Sequence, residues 1–261
     1  MGPAQIIRAS LTRSGLWRLP VRVRSGVAAG ARWTLLPYSA YWRGTHEPVL
    51  QQELVGLGDG DIRGWHCWDI GAHFGLYSIG LARRVGPTGS VAAFEPDPSS
   101  AERLRRHRAM NRCDNLEIFA AAASARSGKA EIYTYGELGS TTTHLPYDGE
   151  VRHPHVQPLE IETVALDDLV AAGRLRPPHF VKIDAEGHGH HVLAGMAATL
   201  ATARPLIFMG FHSPEEIAGT MAALGRSYTW RRIGAPGPGG REPVLVGEDY
   251  RFTPVAGPVS G

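Results

Sequence analysis

Short apolar runs alternate along the chain with segments in which apolar residues recur at helical spacing. The short runs end at glycine, proline or charged residues, which predicts buried strands. They lie at residues 66–70, 90–94, 116–123, 179–183 and 205–211. The segments with helical spacing lie at 48–57, 76–84, 98–111, 167–172 and 192–203, and a further one begins at Ser213. Strands that alternate with helices predict a mostly parallel sheet with right-handed crossovers.

The rest of the pattern predicts additions to this sheet. Residues 129–135 alternate between apolar and polar, which predicts an added strand at a sheet edge, and 162–166 predict another short strand. Residues 228–233 and 244–252 flank a turn rich in glycine and proline and predict an antiparallel hairpin. The polar segment 136–158 is long for a loop, which makes it a candidate lid or acceptor-binding loop.

The chain divides into three predicted parts, and the first is marked by its charge. Residues 1–46 contain seven arginines and no acid, which predicts a basic arm or lid that meets an anionic substrate or a surface. We favour the alternative that this arm packs on the main domain through apolar residues: Trp17, Trp33, Leu35 and Leu36. Its aromatic side chains are also a candidate contact in a homodimer. Residues 47–253 form the predicted main domain, and 254–261 a flexible tail.

Composition limits the class of protein. A chain of 261 residues, 43% of them hydrophobic, is long enough for one large α/β domain. The net charge of +2 predicts no nucleic-acid partner. Two cysteines predict neither a disulfide framework nor a cysteine metal site, which favours a cytoplasmic protein. No apolar run has the length of a membrane span, and the N-terminus lacks a signal-peptide core, so we expect no membrane span.

A glycine turn follows the first strand of the predicted sheet. Its sequence is Asp69-Ile70-Gly71-Ala72-His73-Phe74-Gly75, and the next helix begins at Leu76. Glycines let a backbone approach a ligand closely, and a helix N-terminus presents free N–H groups. The spacing Asp-x-Gly-x-x-x-Gly differs from the Gly-x-Gly-x-x-Gly motif of dinucleotide-binding proteins. The turn therefore predicts a ligand cradle but not a pyrophosphate site.

A carboxylate closes the next strand. Glu95 follows residues 90–94 and precedes Pro96, 26 positions after Asp69. An acid at this place binds the ribose in nucleotide-binding folds, because its two oxygens can accept from both hydroxyls. The alternative is that Glu95 caps the helix that opens at Pro98. We favour the ribose, because the turn and the acid occur together at the right spacing.

The carboxyl ends of the parallel strands gather the remaining candidates. Ligands of open α/β sheets bind at these ends. The residues that the predicted strands bring to this rim are Asp69, Gly71, His73, Glu95, Asp184, Glu186, His188 and His212. Acids, glycines and histidines at one rim predict a small-molecule site with acid–base chemistry.

These motifs resemble the FkbM family of S-adenosylmethionine-dependent methyltransferases. The resemblance covers roughly residues 44–216. Its motifs are Gly44-Thr45-His46-Glu47-Pro48, Asp69 to Gly75, Phe94-Glu95-Pro96-Asp97-Pro98, Thr163-Val164-Ala165-Leu166-Asp167, Val181-Lys182-Ile183-Asp184-Ala185-Glu186-Gly187-His188, Val192-Leu193-x-Gly195 and Pro205-Leu206-Ile207. It implies a class I methyltransferase fold, which is Rossmann-like, with a seven-stranded, mostly parallel sheet and a terminal antiparallel hairpin. Residues 47–253 would then be the methyltransferase domain.

The resemblance also implies a reaction and its binding residues. The reaction is O-methylation of a hydroxyl on a small-molecule acceptor, a sugar or a natural-product scaffold. The methyl donor would be S-adenosylmethionine, and S-adenosylhomocysteine would be the product. The residues implied to bind this cofactor are Glu47, Asp69, Gly71, His73, Gly75, Glu95, Pro96 and Asp184.

A hydroxyl is a poor nucleophile until it loses its proton, so we expect a general base beside Asp184. His188 and His212 follow adjacent predicted strands and have the right chemistry, with Asp184 orienting one of them. For either histidine, a surface or capping role is the open alternative. A metal held by Asp184, Glu186, His188, His190 and His212 is a minority alternative, so we predict no metal.

Two departures from the family leave other functions open. The family usually has a glutamate where Gly189 stands, and another at the end of the fifth strand, where Gly210 stands. Their loss implies an unusual acceptor or a catalytically impaired protein that only binds S-adenosylmethionine. An NAD-dependent oxidoreductase is the other alternative, although the glycine spacing and the terminal hairpin argue against it.

Overall fold

The structure is a computed structural model that describes residues 19–35, 40–57, 62–134, 141–142, 157–236 and 243–255. Its strands are β1 Pro20–Arg22, β2 Arg32–Thr34, β3 His66–Ile70, β4 Ser90–Phe94, β5 Leu116–Phe119, β6 Ala122–Ala123, β7 Gly128–Thr134, β8 Thr141–Thr142, β9 Gln157–Val164, β10 Phe180–Ile183, β11 Leu206–Gly210, β12 Tyr228–Arg232 and β13 Asp249–Pro254. Its helices are α1 Pro48–Val55, α2 Leu76–Val85, α3 Pro98–Asn111, α4 Leu166–Ala171, α5 Gly189–Ala194, α6 Ala197–Ala203 and α7 Pro214–Leu224.

Seven strands of the described residues form one sheet. Their order is β12-β13-β11-β10-β3-β4-β5, and all run parallel except β13, which is antiparallel to both β11 and β12. The register sets Ile70 beside both Ile183 and Phe94, so the carboxyl ends of β10, β3 and β4 lie level. This is the predicted Rossmann-like sheet with its terminal antiparallel hairpin, and the predicted fold class is confirmed.

Helices cover both faces of the sheet, because its strands are apolar on both sides. In β4, Val91 and Ala93 pack into one core and Phe94 into the other. The first core is completed by residues such as Ile79 of α2, and the second by residues such as Leu193 of α5. A sheet buried on both faces leaves its strand ends as the place for polar chemistry.

The described part of the N-terminal arm packs on the domain. The side chain of Trp33 is fully buried and stacks on His107 of α3, with ring centroids 3.7 Å apart. Thr34 Oγ1 lies 2.7 Å from His107 Nε2, and His107 Nδ1 lies 2.8 Å from the carbonyl of Phe74. Trp33 therefore anchors the arm beside the glycine turn. Leu35 is half-buried, whereas Trp17 and Leu36 lie outside the described residues.

The strand predicted at the sheet edge belongs to a second sheet, so this prediction was wrong. β7 pairs antiparallel with β9 along its whole length, and the four strands of this sheet follow the order β6-β9-β7-β8. The strand predicted at 116–123 is likewise divided between β5 in the large sheet and β6 in the small one. Alternation of apolar residues predicts a strand, but it does not identify the strand's partner.

The single helix predicted at 192–203 is two helices, α5 and α6. The carbonyl of Gly195 accepts from Asp167 N over 2.9 Å instead of continuing the helix. The Asp167 carboxylate then accepts from Ala198 N over 2.8 Å and from Thr199 N over 2.9 Å, which starts α6. A side chain from another element therefore caps the second helix, and a periodicity of apolar residues cannot reveal this.

Parts of the predictions lie beyond the described residues. They include most of the candidate loop 136–158, although the backbone of Thr141–Thr142 forms β8, and the tail from residue 256. Among the helices that the structure describes, none combines the length and the hydrophobicity needed to cross a lipid bilayer.

Candidate functional site

Asp69 is a carboxylate near the end of β3. Its side chain is fully buried, Ser78 Oγ donates to Oδ2 over 2.5 Å, and Oδ1 has no hydrogen-bond partner among the described residues. Burial raises the pKa of Asp69, and Lys182 and the Ser78 hydroxyl oppose this rise. A buried oxygen without a partner is costly. Asp69 is therefore suited to a ligand that brings a hydrogen-bond donor.

Backbone conformation and close packing explain why two positions of the turn are glycines. Gly71 has a φ of +76°, and a Cβ there would collide with the carbonyl of Asp184. Gly75 has a φ of +86°, and a Cβ there would collide with the Leu104 side chain of α3. A left-handed backbone and close packing thus explain both glycines. The cofactor contacts implied for them stay a prediction.

Two backbone N–H groups hold Glu95 at the end of β4. His73 N donates to Oε2 over 2.7 Å, and Asp97 N donates to Oε1 over 2.8 Å. Burial raises the pKa of Glu95 to about 7, although these two bonds lower it. The helix-capping alternative does not hold, because Asp97 caps α3 by accepting from Ser100 N over 2.7 Å. Each Glu95 oxygen keeps a lone pair for a ligand hydroxyl.

The arm reaches the same turn through Tyr41, which lies outside every motif in the sequence. Tyr41 Oη lies 2.8 Å from His73 Nδ1, and the Tyr41 ring lies edge-on to His46 and Phe74. His73 itself has a φ of +49°. Burial and the charge of Glu47 raise the pKa of Tyr41, so its hydroxyl stays protonated at neutral pH. The arm therefore supplies part of the wall of the site.

A buried ion pair occupies the end of β10. Lys182 Nζ lies 3.2 Å from Asp184 Oδ2 and 4.7 Å from the centre of the Tyr77 ring. Burial alone would raise the pKa of Asp184, but Lys182 and His212 lower it below its ordinary value. Lys182 is only 3% exposed. Asp184 is therefore ionised at the rim, with Lys182 behind it.

His212 follows β11 and faces this pair. Its Nε2 lies 3.4 Å from Asp184 Oδ1 and 3.7 Å from Glu186 Oε2. On its other side, the fully buried Glu216 accepts from His212 N over 2.8 Å, and its Oε2 lies 3.6 Å from His212 Nδ1. Burial alone would lower the pKa of His212, but the contacts with Glu216, Asp184 and Glu186 raise it. Carboxylates therefore surround the imidazole.

Glu216 was not predicted as a site residue, although a signal for it was present. Ser213 caps α7 by accepting from Glu216 N over 3.1 Å, the first half of a capping box. The carboxylate of Glu216 reaches back past the cap to His212 N, and its second oxygen accepts from Gly189 N over 2.7 Å. A Cβ at Gly189 would lie only 2.6 Å from that oxygen. Glu216 thus fills the space beside Gly189.

Two further carboxylates come from distant parts of the chain. Glu47, with a φ of +44°, stands before α1, and Tyr77 Oη donates to its Oε2 over 2.5 Å. Asp249 opens β13 and pairs with Gly210. Burial, followed by the charge of Glu47, raises the pKa of Asp249 to about 6. Asp249 lies in no sequence motif, and only the pairing of β13 with β11 places it at the rim. The sequence therefore contains no signal for it.

His188 makes different contacts from His212. His188 Nε2 lies 3.0 Å from Ser124 Oγ, and its ring packs on His191 with centroids 4.5 Å apart. Burial, with the neighbouring His191 and His190, lowers the pKa of His188 to about 4. His190 packs its Cβ against Gly219 of α7. The structure therefore groups His212, and not His188, with Asp184.

Three of the five residues of the metal alternative come together. Ligand atoms of Asp184, Glu186 and His212 lie within 4.8 Å of one another. Nitrogen and carboxylate oxygen are acceptable ligands for several divalent metals. An imidazole surrounded by carboxylates would show the same distances, however. In addition, Lys182 already neutralises the charge of Asp184. The group of contacts suits a proton-binding histidine as well as it suits a metal.

Comparisons with known proteins agree with these motifs. The family model for the methyltransferase FkbM domain matches residues 69–228, more than half of the chain. The hexuronic acid methyltransferase AglP of Haloferax volcanii is 26% identical over 193 residues, which are 72% of this chain and 73% of AglP. The 2-O-methyltransferase NoeI of Sinorhizobium fredii is 28% identical over 132 residues, which are 46% of this chain and 53% of NoeI.

A solved structure of a methyltransferase FkbM from Methylobacillus flagellatus KT is 18% identical, with a TM-score of 0.49. The match covers 72% of this chain but 43% of that one, so the chain spans less than half the length of this relative.

Proposed function

The chain belongs to the FkbM methyltransferase domain family, and we propose that it transfers a methyl group from S-adenosylmethionine to a hydroxyl oxygen of a sugar or a natural product. The observation that supports this most is the juxtaposition of two different polar sets on level strand ends. Asp69 and Glu95 lie at the ends of β3 and β4, and the Asp184–His212 pair lies at the neighbouring ends.

The donor side fits S-adenosylmethionine. Glu95 has a free lone pair on each oxygen for the two ribose hydroxyls, and Asp69 Oδ1 has no partner among the described residues. His73 and Pro96 flank Glu95 and would line the same pocket. When bound, the cofactor supplies a methyl group on a positively charged sulfur, which needs no further activation.

The acceptor side fits a general base. His212 Nε2 takes the proton of the acceptor hydroxyl, and Asp184 Oδ1, 3.4 Å away, stabilises the imidazolium that forms. Glu216 accepts from His212 N, which positions the backbone, and its Oε2 lies 3.6 Å from Nδ1, where its charge stabilises the imidazolium. Of the two predicted histidines we favour His212, because the low pKa and the Ser124 contact of His188 suit a structural role.

The choice of acceptor follows the relatives. Their names record activity on a hexuronic acid, which is a sugar acid, and methylation at a 2-O position. We therefore place a sugar hydroxyl first and a natural-product hydroxyl second. A cytoplasmic location, a homodimer and the lack of a nucleic-acid partner stay predictions from the sequence.

Two measurements test this function. Mass spectrometry of the purified protein, together with calorimetry, should detect bound S-adenosylhomocysteine, and binding of NADH in its place would contradict the methyltransferase assignment. Transfer of a labelled methyl group to a panel of methyl glycosides should then give an O-methylated product. Cofactor binding without transfer to any hydroxyl acceptor would instead support the impaired, binding-only protein.

A further inference from the structure

Three polar side chains converge on the position that a Cβ of residue 210 would take, and we call this position the gap. A Cβ built on Gly210 would lie 2.9 Å from Asp249 Oδ1, 3.7 Å from His212 Cε1 and 3.9 Å from Asp184 Oδ1. The gap is narrow, because Asp249, the direct partner of Gly210 across β11 and β13, brings its Oδ1 closer to this position than an ordinary contact. The proposed base and an additional carboxylate therefore border one small space.

Asp249 is available to bind a ligand. It is only partly buried, and no described side chain donates a hydrogen bond to its carboxylate. An ionised carboxylate accepts hydrogen bonds from hydroxyl or ammonium groups, but it cannot donate one to another carboxylate. The neighbour that matters for the reaction, His212, lies across the same gap.

Negative charge dominates around this gap in the described residues. The carboxylates of Glu47, Asp184, Glu186 and Asp249 act on it, with Glu216 behind His212. The one lysine is Lys182, which is buried and paired with Asp184. Burial lowers the pKa of the nearby His46, so this histidine adds no positive charge at neutral pH. Like charges in a poorly solvated site repel strongly.

We infer that Asp249 is a specificity-determining residue that binds a hydroxyl or ammonium group of the acceptor and, with Glu47 and Glu186, selects neutral or amino sugars over hexuronates. The inference rests on the proposed function, since it names the acceptor class of that same site. It separates this chain from a relative whose acceptor carries a carboxylate. A repulsive group against the wrong substrate is a common source of specificity.

The experiment compares three matched acceptors: a methyl glucoside, the corresponding 2-amino-2-deoxyglucoside and the corresponding glucuronide. The kcat/KM of labelled methyl transfer is measured for each at pH 7, where Asp249 is mostly ionised and the amino sugar is partly in its ammonium form. The wild-type protein should favour the glucoside and the amino sugar over the glucuronide by at least about tenfold. Asp249→Asn should reduce this ratio to about threefold or less, mainly through KM, and leave the affinity for S-adenosylhomocysteine unchanged.

The matched control is Glu248→Gln, which removes the adjacent carboxylate that pairs with Arg232 away from the gap; it should leave the ratio unchanged. Gly210→Ala, whose methyl group would lie 2.9 Å from Asp249 Oδ1 and displace that carboxylate, should weaken all three acceptors without affecting S-adenosylhomocysteine. If the wild-type protein methylates the glucuronide as efficiently as the glucoside, the inference is overturned but the proposed methyltransferase function stands. Binding of S-adenosylhomocysteine with transfer to none of the three overturns the inference and the proposed acceptor class. Failure to bind S-adenosylhomocysteine overturns the proposed function itself.

Discussion

The proposed donor and acceptor sides of the rim differ in which groups contact their carboxylates. On the donor side, backbone N–H groups hold Glu95 and a hydroxyl holds Asp69, and burial raises the pKa of both acids. On the acceptor side, charged partners surround Asp184, and its pKa is lowered. Neutral donors leave a carboxylate free for ligand hydroxyls, whereas coupled charges set the protonation state of a neighbouring base.

The two sides also differ in how the chain builds them. The donor side comes from two consecutive strands and the turns that follow them, within 62–100. The acceptor side combines the ends of β10 and β11 with Glu216 and Asp249 from two other elements, whereas Glu47 is predicted to bind the cofactor. Its electrostatics therefore depend on long-range packing, and single substitutions should separate the two sides cleanly.

Replacing the proposed base should have the largest effect. We expect His212→Asn to lower the single-turnover rate of methyl transfer by about 10²–10⁴-fold, the usual contribution of a general base. The affinity for S-adenosylhomocysteine should stay within about twofold, because the donor side is untouched. His188→Asn is the matched control and should retain most of the rate. If His188→Asn lowers the rate more than His212→Asn does, the assignment of His212 as the base is wrong.

Replacing Glu95, the proposed ribose ligand, should affect the donor side. Glu95→Ala should weaken S-adenosylhomocysteine binding by roughly 1.5–3 kcal/mol, the value of hydrogen bonds to a charged group. Isothermal titration calorimetry measures this directly, and Glu102→Gln on the exposed face of α3 serves as the control. Unchanged affinity would remove Glu95 from the cofactor site and with it the geometric basis of the donor side.

The same contrast explains what the sequence could predict. β3, the glycine turn and Glu95 are neighbours in sequence, so pattern and spacing predicted their places. The large sheet and its terminal hairpin were predictable for the same reason. The pairing of β7 with β9, the capping of α6 by Asp167 and the arrival of Asp249 beside Gly210 depend on contacts between distant residues. Local periodicity carries no information on such contacts.

The histidines illustrate this limit within one site. His188 and His212 both follow strands at the rim, and their sequence context does not rank them. The contacts do, because His212 meets Asp184 and Glu216 whereas His188 meets Ser124. The Gly189 departure also has a structural explanation, since Glu216 occupies the adjacent space. A missing carboxylate in a motif does not mean a missing carboxylate in the site.

The donor side should respond to pH through Glu95. Its pKa of about 7 is raised by burial, and ribose hydroxyls bind its ionised form. Affinity for S-adenosylhomocysteine should therefore be nearly full at pH 8, about half of that at pH 7 and about tenfold lower at pH 6, as one proton is taken up. Calorimetry in buffers of different ionisation heat measures that proton. Glu95→Gln should bind more weakly at pH 8 and show no such slope, and a slope that survives this change contradicts the assignment.

The rate of methyl transfer should depend on pH through His212. The smallest predicted effect is a shift of this pH profile when Glu216 is replaced. A base acts when deprotonated, so the rate should rise with pH through an apparent pKa above the ordinary 6.5 of histidine. Glu216→Gln removes a carboxylate that raises this pKa, so the profile should shift to lower pH by a fraction of a unit up to about one unit. The apparent value belongs to the coupled group, which includes Asp249 and Asp184.

Two controls distinguish this positioning role from a loss of stability. The side-chain amide nitrogen that Glu216→Gln introduces cannot accept from a backbone N–H, so a melting temperature lowered by a few degrees is expected as well. Glu215→Gln, one position earlier in α7 and exposed, should change neither the profile nor the melting temperature. A stability loss without a shifted profile would show that Glu216 only anchors the loop before α7, and that Asp184 and Glu186 set the protonation of His212.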